Sequence, residues 1–185
     1  VAQVIVKDDV AVPDREEGTG RRGIAGTVFV HKIAGAKAEQ GASLAEVKAA
    51  AEKAVRNIRT MGVAMTPCIL PAVGKPGFQI ADDEIEIGMG IHGEQGVETT
   101  KIKSAKEIAE ILVNGLGGTP LMELYILNLE VQKILEEKGI KAYRTFVGNY
   151  CTAIDMTGAS VTLMKLDDEL KELLDAPCDT PALKI

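Results

Sequence analysis

Residues 84–96 constrain the fold of this chain most, because polar and apolar positions alternate strictly from Glu84 to His92. The apolar positions are Ile85, Ile87, Met89 and Ile91, and the positions between them are Glu84, Glu86, Gly88, Gly90 and His92. Successive side chains of a β-strand point to opposite faces, so a period of two predicts a strand. We expect its apolar face to pack on the core and His92 to stand at its end.

The polar face of this strand has two interpretations. In the first, Gly88 and Gly90 clear space beside the imidazole, since glycines inside a strand often mark a close approach of ligand or backbone. In the second, the stretch is a β-hairpin whose exit at residues 93–96 happens to hold a histidine. The alternation alone leaves both open.

The residue types narrow the chemistry of His92 without fixing it. A neutral imidazole acts as a general base, a metal ligand or a nucleophile. The chain has 2 histidines and no H-E-x-x-H motif, so a transition-metal site is not expected. No G-x-S-x-G motif offers a serine for His92 to activate. General base and nucleophile remain, with Glu86 or Glu94 near enough in sequence to fix the tautomer of the ring.

Charge and cysteine content exclude several classes of protein. The net charge is −6 without a basic cluster, which argues against binding to nucleic acid or an anionic membrane. No apolar run reaches the length that crosses a bilayer. Cys68, Cys151 and Cys178 are odd in number and far apart, so neither a disulfide framework nor a zinc site is expected. We expect a protein of the reducing cytoplasm.

The first part of the chain predicts a strand and a helix. The apolar residues 1–6 predict a strand, and because it starts at the first residue we expect the sequence to begin partway through a longer protein. Small residues predict a closely packed helix at residues 23–40, with His31 as a packed or solvated member. Between them, Asp8–Asp9 either faces a ligand or forms a turn, and Arg21–Arg22 is a candidate contact for an acidic partner.

Two capping boxes mark further helix starts. Ser43 and Glu46 open a helix whose apolar spacing continues to Met61, with Gly62 as its end. A bent edge strand is expected within residues 62–73, which contain two prolines. The second box, at residues 104–107, starts a helix that runs directly into the strand-like residues 111–113. Because no turn separates them, we expect a segment to be missing after residue 110.

A glycine-rich loop at residues 114–120 joins a strand to the next helix. This topology binds phosphate in many folds, but the Walker lysine is absent. The loop is also explained as a tight turn, with Thr119 as N-cap and Pro120 as the first helical residue.

The last third of the chain predicts two helices and two strands. The helix at residues 121–138 has Gly139 as its C-cap and a core stripe that includes Tyr125, and Asp167 caps a last short helix. Strands are expected at residues 140–147 and 160–166. Interleaved helices and strands predict the α/β (α+β) class, with a mixed β-sheet packed with helices.

Several motifs stand in the order of one known family. They are DDVAV (residues 8–12), RRGIAGTV (21–28), HKIAG (31–35), EIGMGIHGE (86–94), NGLGGTPLMELY (114–125), GNYCT (148–152), DMTG (155–158) and KLDD (165–168). With them the chain resembles the dihydroxyacetone-binding K subunit of dihydroxyacetone (glycerone) kinase over nearly its whole length. It corresponds to the C-terminal half of that two-domain subunit.

The resemblance implies a role for His92. In the family, the histidine of the G-I-H-G-E-P-G motif bonds through its ring nitrogen to the carbonyl of the substrate and forms a hemiaminal. His92 matches that histidine, and Gly90, Gly93 and Glu94 are the further substrate-binding candidates. Two residues depart from the family pattern, since Gln95 replaces a proline and Ala153 a serine.

The resemblance also implies partners and domain limits. Residues 1–40 would end a preceding α/β domain, residues 41–175 would form the substrate-capturing α+β domain, and residues 176–185 an extended tail. No cofactor or metal is expected on this chain, since ATP or ADP with magnesium belongs to a partner L subunit. We expect a cytoplasmic homodimer of glycerol metabolism linked to the phosphotransferase system.

The family's first half carries the acid/base residues, so we expect this fragment alone to be inactive. Two alternatives stay open: a catalytically silent, dihydroxyacetone-binding co-activator of a transcription regulator, and part of a single-chain ATP-dependent dihydroxyacetone kinase.

Overall fold

The computed structural model describes residues 1–13, 20–69, 71–92, 94, 96–101 and 113–185. The helices within these ranges are α1 (Thr27–Glu39), α2 (Leu44–Asn57), α3 (Leu121–Glu137) and α4 (Asp168–Asp175). The strands are β1 (Ile58–Ala64), β2 (Glu84–Ile87), β3 (Glu98–Lys101), β4 (Asn114–Gly115) and β5 (Gly158–Met164). The capping box predicted at residues 104–107 and the break predicted after residue 110 lie outside the described residues.

The five strands form one sheet in the order β3-β2-β1-β5-β4. All the pairings between these strands are antiparallel, and parallel pairing occurs in single bridges such as Asp9 with Thr60. β1 pairs with β5 along its full length, from Ile58 opposite Met164 to Ala64 opposite Gly158. The predicted α/β class is confirmed, whereas the predicted mixed sheet is wrong for the named strands, which pair only antiparallel.

The described residues form three apolar clusters, of which the first two hold helices to this sheet. The first joins α1, α2 and α4 around Ile33, Ala54 and Ile58. The second lies between α3 and the centre of the sheet. The third contains Met89 and Leu116, with Ile91 packed against it. Because Met89 and Ile91 flank Gly90 in sequence, the third cluster holds the backbone just before His92 in place.

The start of α1 is set by the buried carboxylate of Asp8. Its Oδ1 accepts a hydrogen bond from the backbone N–H of Ile24 at 2.8 Å, and its Oδ2 accepts one from Gly26 at 2.7 Å. These bonds hold residues 24–26 in a turn, so the helix predicted from residue 23 begins at Thr27. His31 is exposed on this helix. Of its two predicted environments, packed or solvated, the solvated one is therefore confirmed.

The predicted strand at residues 1–6 is wrong. These residues pair with no strand in the described part of the chain, because the pairing to β1 is confined to the next segment. There the Thr60 N–H donates to the carbonyl of Asp8 at 2.7 Å, and the Val10 N–H donates to the carbonyl of Thr60 at 2.9 Å. Apolar side chains of residues 1–6 still pack on the first cluster.

The capping box of Ser43 and Glu46 is confirmed at the start of α2. The predicted end of this helix at Met61 is wrong, since α2 ends at Asn57 and β1 follows at once. Residues 58–61 pair with β5, a contact far away in sequence that the local helical spacing does not reveal. The edge strand expected within residues 62–73 is wrong. Residues 62–64 belong to β1, which lies at the centre of the sheet between β2 and β5, and no named strand follows in the described residues before β2.

Three predictions for the last third need correction. Pro120, not Thr119, stands at the N-cap of α3, because the Thr119 hydroxyl is used by Gly158, donating to its carbonyl at 2.6 Å and accepting from its N–H at 2.8 Å. Tyr125 is exposed, and the neighbouring Leu124 is buried instead. Residues 140–147 form no strand, and the strand beside β5 at this edge is β4.

Other predictions for this region are confirmed. Gly139 has a φ of 69° directly after α3, the left-handed conformation expected of a glycine that ends a helix. The Asp167 carboxylate accepts from the Leu170 N–H at 3.0 Å and caps α4. The domain limits at residues 40 and 175 stay a prediction. No helix among the described residues is long and apolar enough to cross a membrane.

We predict that Asp8→Asn destabilises the protein by about 2 kcal/mol. An amide offers one oxygen where the carboxylate offers two, so one of the buried N–H groups of Ile24 and Gly26 loses its acceptor. Urea unfolding measures the change. The exposed Asp82→Asn is the matched control, with an expected effect within about 0.5 kcal/mol. Equal stabilities of the two variants would contradict the role given to Asp8.

Candidate functional site

The strand that leads to His92 is shorter than its alternation predicts. β2 ends at Ile87, because Gly88 has a φ of 71°. This left-handed conformation suits glycine and turns the chain out of the strand. A Cβ on Gly88 would also stand 2.3 Å from the Cβ of Ala11. The prediction of one strand from Glu84 to His92 is therefore wrong beyond Ile87.

Glu86 belongs to the structure of the hairpin rather than to an open polar face. Its side chain is buried, with Oε1 accepting from the Gly96 N–H at 2.7 Å and Oε2 accepting from the Thr99 hydroxyl at 2.5 Å. Gly96 lies in the connection to β3, and Thr99 lies in β3 opposite Glu86. The carboxylate thus closes the β2–β3 hairpin, and His92 stands in the connection of that hairpin.

His92 points to solvent from this connection. Its side chain is 78% exposed, whereas Met89 is buried and Ile91 half-buried in the third apolar cluster. The two apolar side chains fix the backbone on one side, and the imidazole stands on the other. The ring is therefore held at its base and accessible at its tip.

Glu94 contacts His92 through both oxygens of its carboxylate. Oε2 accepts from the His92 backbone N–H at 2.9 Å, and Oε1 lies 3.4 Å from Nδ1 of the ring. In the described residues Nε2 of His92 has no hydrogen-bond partner, so it is the free nitrogen. A carboxylate at Nδ1 favours the tautomer with the proton there and a lone pair on Nε2.

The pKa of Glu94 keeps this carboxylate ionised. Burial raises the pKa, but the backbone N–H groups of Glu94 and His92 and the imidazole of His92 together lower it below its ordinary value. Each of these donors stabilises the charged form. Glu94 therefore carries its negative charge beside the ring at neutral pH.

Gly90 makes room for this carboxylate. A Cβ on Gly90 would stand 2.1 Å from Oε2 of Glu94, a distance that no side chain tolerates. The space beside Gly88 is taken by Ala11 and Val97. The expectation that the two glycines clear a recess for a ligand is therefore wrong, because protein atoms fill both spaces.

The predicted site residues are thus only partly brought together. His92, Gly90 and Glu94 form one contact group. Gly93 lies outside the described residues, as does Gln95, one of the two departures from the family pattern. No group of three or more His, Cys, Asp or Glu suited to a metal ion occurs in the part of the chain described.

Arg22 reaches the site, which the sequence interpretation missed. Its Nε and Nη2 bind Oδ2 of Asp9 at 2.7 and 2.6 Å, and Nη2 also donates to the carbonyl of Gly88 at 2.6 Å. Arg22 therefore serves internal partners, and the expected contact with an acidic partner is wrong for this residue. Gly88 is 66 positions away in sequence, so no local pattern could reveal the contact.

Asp155 lies in the connection that precedes β5. Burial raises the pKa of the Cys68 thiol, and the charges of Asp155 and Glu94 raise it further. The preceding Ile154 has a φ of 57°, which is unusual for a β-branched residue. Asp155 is exposed, and its Oδ1 accepts from the Ile69 N–H at 3.4 Å.

A cavity of about 640 Å³ lies elsewhere, between α1, α3 and β5. Its lining includes no residue of the His92 connection. It comes from these elements, residues 140–146, the residues that flank β5, and Val113, Asn114, Tyr150, Leu174 and Leu183. Most of the lining is apolar. The cavity is therefore separate from the candidate site.

Comparison with known proteins identifies the relatives of this chain. The model of the Dak1 domain matches residues 1–113 and 109–182. The PTS-dependent dihydroxyacetone kinase 1, dihydroxyacetone-binding subunit DhaK of Listeria innocua is 47% identical over 202 residues, covering 98% of this chain and 61% of the relative. The chain thus spans about six-tenths of that relative's length. The predicted family resemblance is confirmed.

Solved structures agree with this result. The dihydroxyacetone kinase operon co-activator Dha-DhaQ superposes with a TM-score of 0.85 at 35% identity, covering 94% of this chain and 60% of that one. The dihydroxyacetone kinase from C. freundii in complex with AMP-PNP and Mg²⁺ gives a TM-score of 0.77 at 31% identity, covering 92% of this chain and 34% of that one.

We predict that Gly90→Ala raises the pKa of Glu94 towards its ordinary value. The added Cβ collides with Oε2 and expels the carboxylate, which then loses the donors that lower its pKa. A carboxyl-detected NMR titration measures the pKa. Gly35→Ala is the control, because no atom lies within 4 Å of the added Cβ there. A pKa of Glu94 that stays the same in Gly90→Ala would refute the contact.

Proposed function

The chain belongs to the Dak1 domain family, and on that basis we propose that His92 captures dihydroxyacetone as a covalent hemiaminal. The observation that carries the proposal is the pair formed by His92 and Glu94, in which Nδ1 faces a carboxylate and Nε2 is free among the described residues. The relative from Listeria innocua is a dihydroxyacetone-binding subunit by name and shares 47% of aligned residues with this chain.

The capture is an addition in which no atom is lost. The lone pair of Nε2 attacks the carbonyl carbon, forming a C–N bond, and the π electrons of the C=O bond move to oxygen. The positive charge that develops on the ring is stabilised by the ionised Glu94 beside Nδ1. The Nδ1 proton leaves through Glu94 as the alkoxide takes one up, which yields a neutral hemiaminal.

This chemistry selects the class of substrate. A short ketose or aldehyde has a carbonyl carbon for Nε2 to attack, and glycerol has none. The ring of His92 is 78% exposed, so a small ketone can approach it without a change in the described residues. The same exposure means that groups outside these residues must enclose the bound substrate before its hydroxyl is phosphorylated.

In the kinase we propose, this chain presents dihydroxyacetone and a nucleotide-binding L subunit holds ATP or ADP with magnesium. The relative with AMP-PNP and Mg²⁺ supports a nucleotide donor, and this chain covers only 34% of it, so a large part of that kinase lies outside the match. The name of the Listeria relative favours a donor linked to the phosphotransferase system. We also propose that the chain forms a homodimer in the cytoplasm. The cytoplasm is a reducing compartment, which suits the free thiols of all three cysteines.

A second candidate function is a dihydroxyacetone-binding co-activator without catalysis. Its support is the TM-score of 0.85 with the operon co-activator Dha-DhaQ. Both candidates include capture by His92, and they differ in phosphoryl transfer. Formation of dihydroxyacetone phosphate by the complete gene product, supplied with an L subunit and nucleotide, favours the kinase; its absence alongside normal capture favours the co-activator.

We predict that native mass spectrometry with dihydroxyacetone detects an adduct with the full mass of one ketone. His92→Ala abolishes the adduct because the nucleophile is gone. The control is His31→Ala, which removes the other histidine of the chain, exposed on α1, and leaves the adduct unchanged.

The mass separates the hemiaminal from a lysine imine, which is lighter by one water and becomes fixed on reduction with borohydride. Three outcomes would contradict capture by His92: no adduct, an adduct that survives His92→Ala, or one lighter by a water.

A further inference from the structure

We propose that Arg22 is a positioning residue for His92. Arg22 acts at Gly88 and Gly90 and so fixes the loop that carries the imidazole ring. The inference rests on the proposed capture by His92 and adds a residue to it. Two helices and two strands separate Arg22 from His92 in the sequence. The role of Arg22 therefore depends entirely on the folded structure.

The guanidinium of Arg22 is itself held rigidly. Asp9, whose side chain is fully buried, binds Nε and Nη2 through the same oxygen, Oδ2, at 2.7 and 2.6 Å. The other oxygen of Asp9 accepts from the Ala11 N–H at 3.0 Å, and the Asp9 N–H donates to the carbonyl of Arg22 at 3.1 Å. Backbone and side chain of the two residues are thus bound to each other.

This pair is anchored to the centre of the sheet. Asp9 forms a parallel bridge with Thr60 of β1, a strand paired on both sides. The position of the guanidinium is therefore set by β1 rather than by the surface. Arg22 is only 22% exposed in its side chain, which limits competition from water for its hydrogen bonds.

Gly88 is the point at which Arg22 acts on the loop. The Gly88 N–H donates to the carbonyl of Gly62 in β1 at 2.7 Å, and its carbonyl accepts from Nη2 of Arg22 at 2.6 Å. Both polar groups of the glycine are thus fixed at the position where the chain leaves β2. The direction in which the next residues run, and with it the placement of His92, follows from these two bonds.

Arg22 also lies beside Gly90. Nη1 stands 3.1 Å from the position that a Cβ on Gly90 would occupy, and Oε2 of Glu94 stands 2.1 Å from the same position. The guanidinium and the carboxylate therefore both lie next to Gly90. Negative Asp9, positive Arg22, negative Glu94 and the imidazole of His92 follow one another through the site.

Lysine cannot reproduce this arrangement. The planar fork of arginine binds Asp9 through Nε and Nη2, donates to Gly88 through Nη2 and places Nη1 beside Gly90, whereas an ammonium is a single point of charge on a flexible stem. Arg22→Lys therefore keeps the charge beside Asp9 and loses the fixed geometry of the loop. It tests position separately from charge.

We predict that Arg22→Lys weakens the binding of dihydroxyacetone on the order of 10- to 100-fold, the effect of misplacing a reactive group by about 1 Å. Native mass spectrometry over a range of ketone concentrations gives the dissociation constant. Nitrogen-15 NMR of the His92 ring is the second readout, and we expect a smaller share of the Nδ1–H tautomer. Arg56→Lys, at the exposed end of α2, is the matched control and leaves both unchanged.

The outcomes are distinguishable. Absence of an adduct in the unsubstituted protein overturns the proposed function itself. Normal capture with the same dissociation constant and tautomer in folded Arg22→Lys overturns only the role of Arg22. If Arg22→Lys does not fold by circular dichroism, Arg22→Met takes its place, because its side chain has no donor for the carbonyl of Gly88. Unchanged binding and tautomer in folded Arg22→Met also overturn the role.

Discussion

Two adjacent carboxylates, those of Asp8 and Asp9, are fully buried, and the rest of the structure depends on how each is satisfied. Asp8 accepts two backbone N–H groups and fixes the start of α1. Asp9 pairs with Arg22, although burial raises the pKa of Asp9 more than the guanidinium lowers it. Both carboxylates need these partners because an unpaired buried charge is costly. The backbone of Asp8 and Asp9 also pairs with Thr60 of β1. Arg22 in turn donates to the carbonyl of Gly88 in the loop before His92.

Local chemistry made several elements predictable from the sequence. The caps at Ser43 and Asp167 and the glycine after α3 each depend on contacts within a few residues. The end of α2 was missed because Ile58 and Met61 fit a helical spacing, while their pairing with β5 involves residues about a hundred positions later. Pairing over such a distance outweighs local preference and leaves no local pattern.

The candidate site divides in the same way. His92 and Glu94 are close in sequence, so their contact could be predicted from the motif. The reason why positions 88 and 90 are glycines could not. Gly88 and Gly90 would belong to an open strand face if β2 continued beyond Ile87, where it ends. In the structure their missing side chains admit Ala11 and the Glu94 carboxylate. The glycines thus shape the support of His92, whose ring is exposed.

The central claim, that Nε2 of His92 adds to the carbonyl carbon of a ketose, is tested most directly by one NMR measurement. The protein labelled with nitrogen-15 in histidine is mixed with dihydroxyacetone labelled with carbon-13 at its carbonyl. If Nε2 of His92 adds to the carbonyl carbon, this carbon becomes tetrahedral and shows a one-bond coupling to Nε2. A bound ketone whose carbon stays trigonal, or a tetrahedral carbon without coupling to His92, would contradict it.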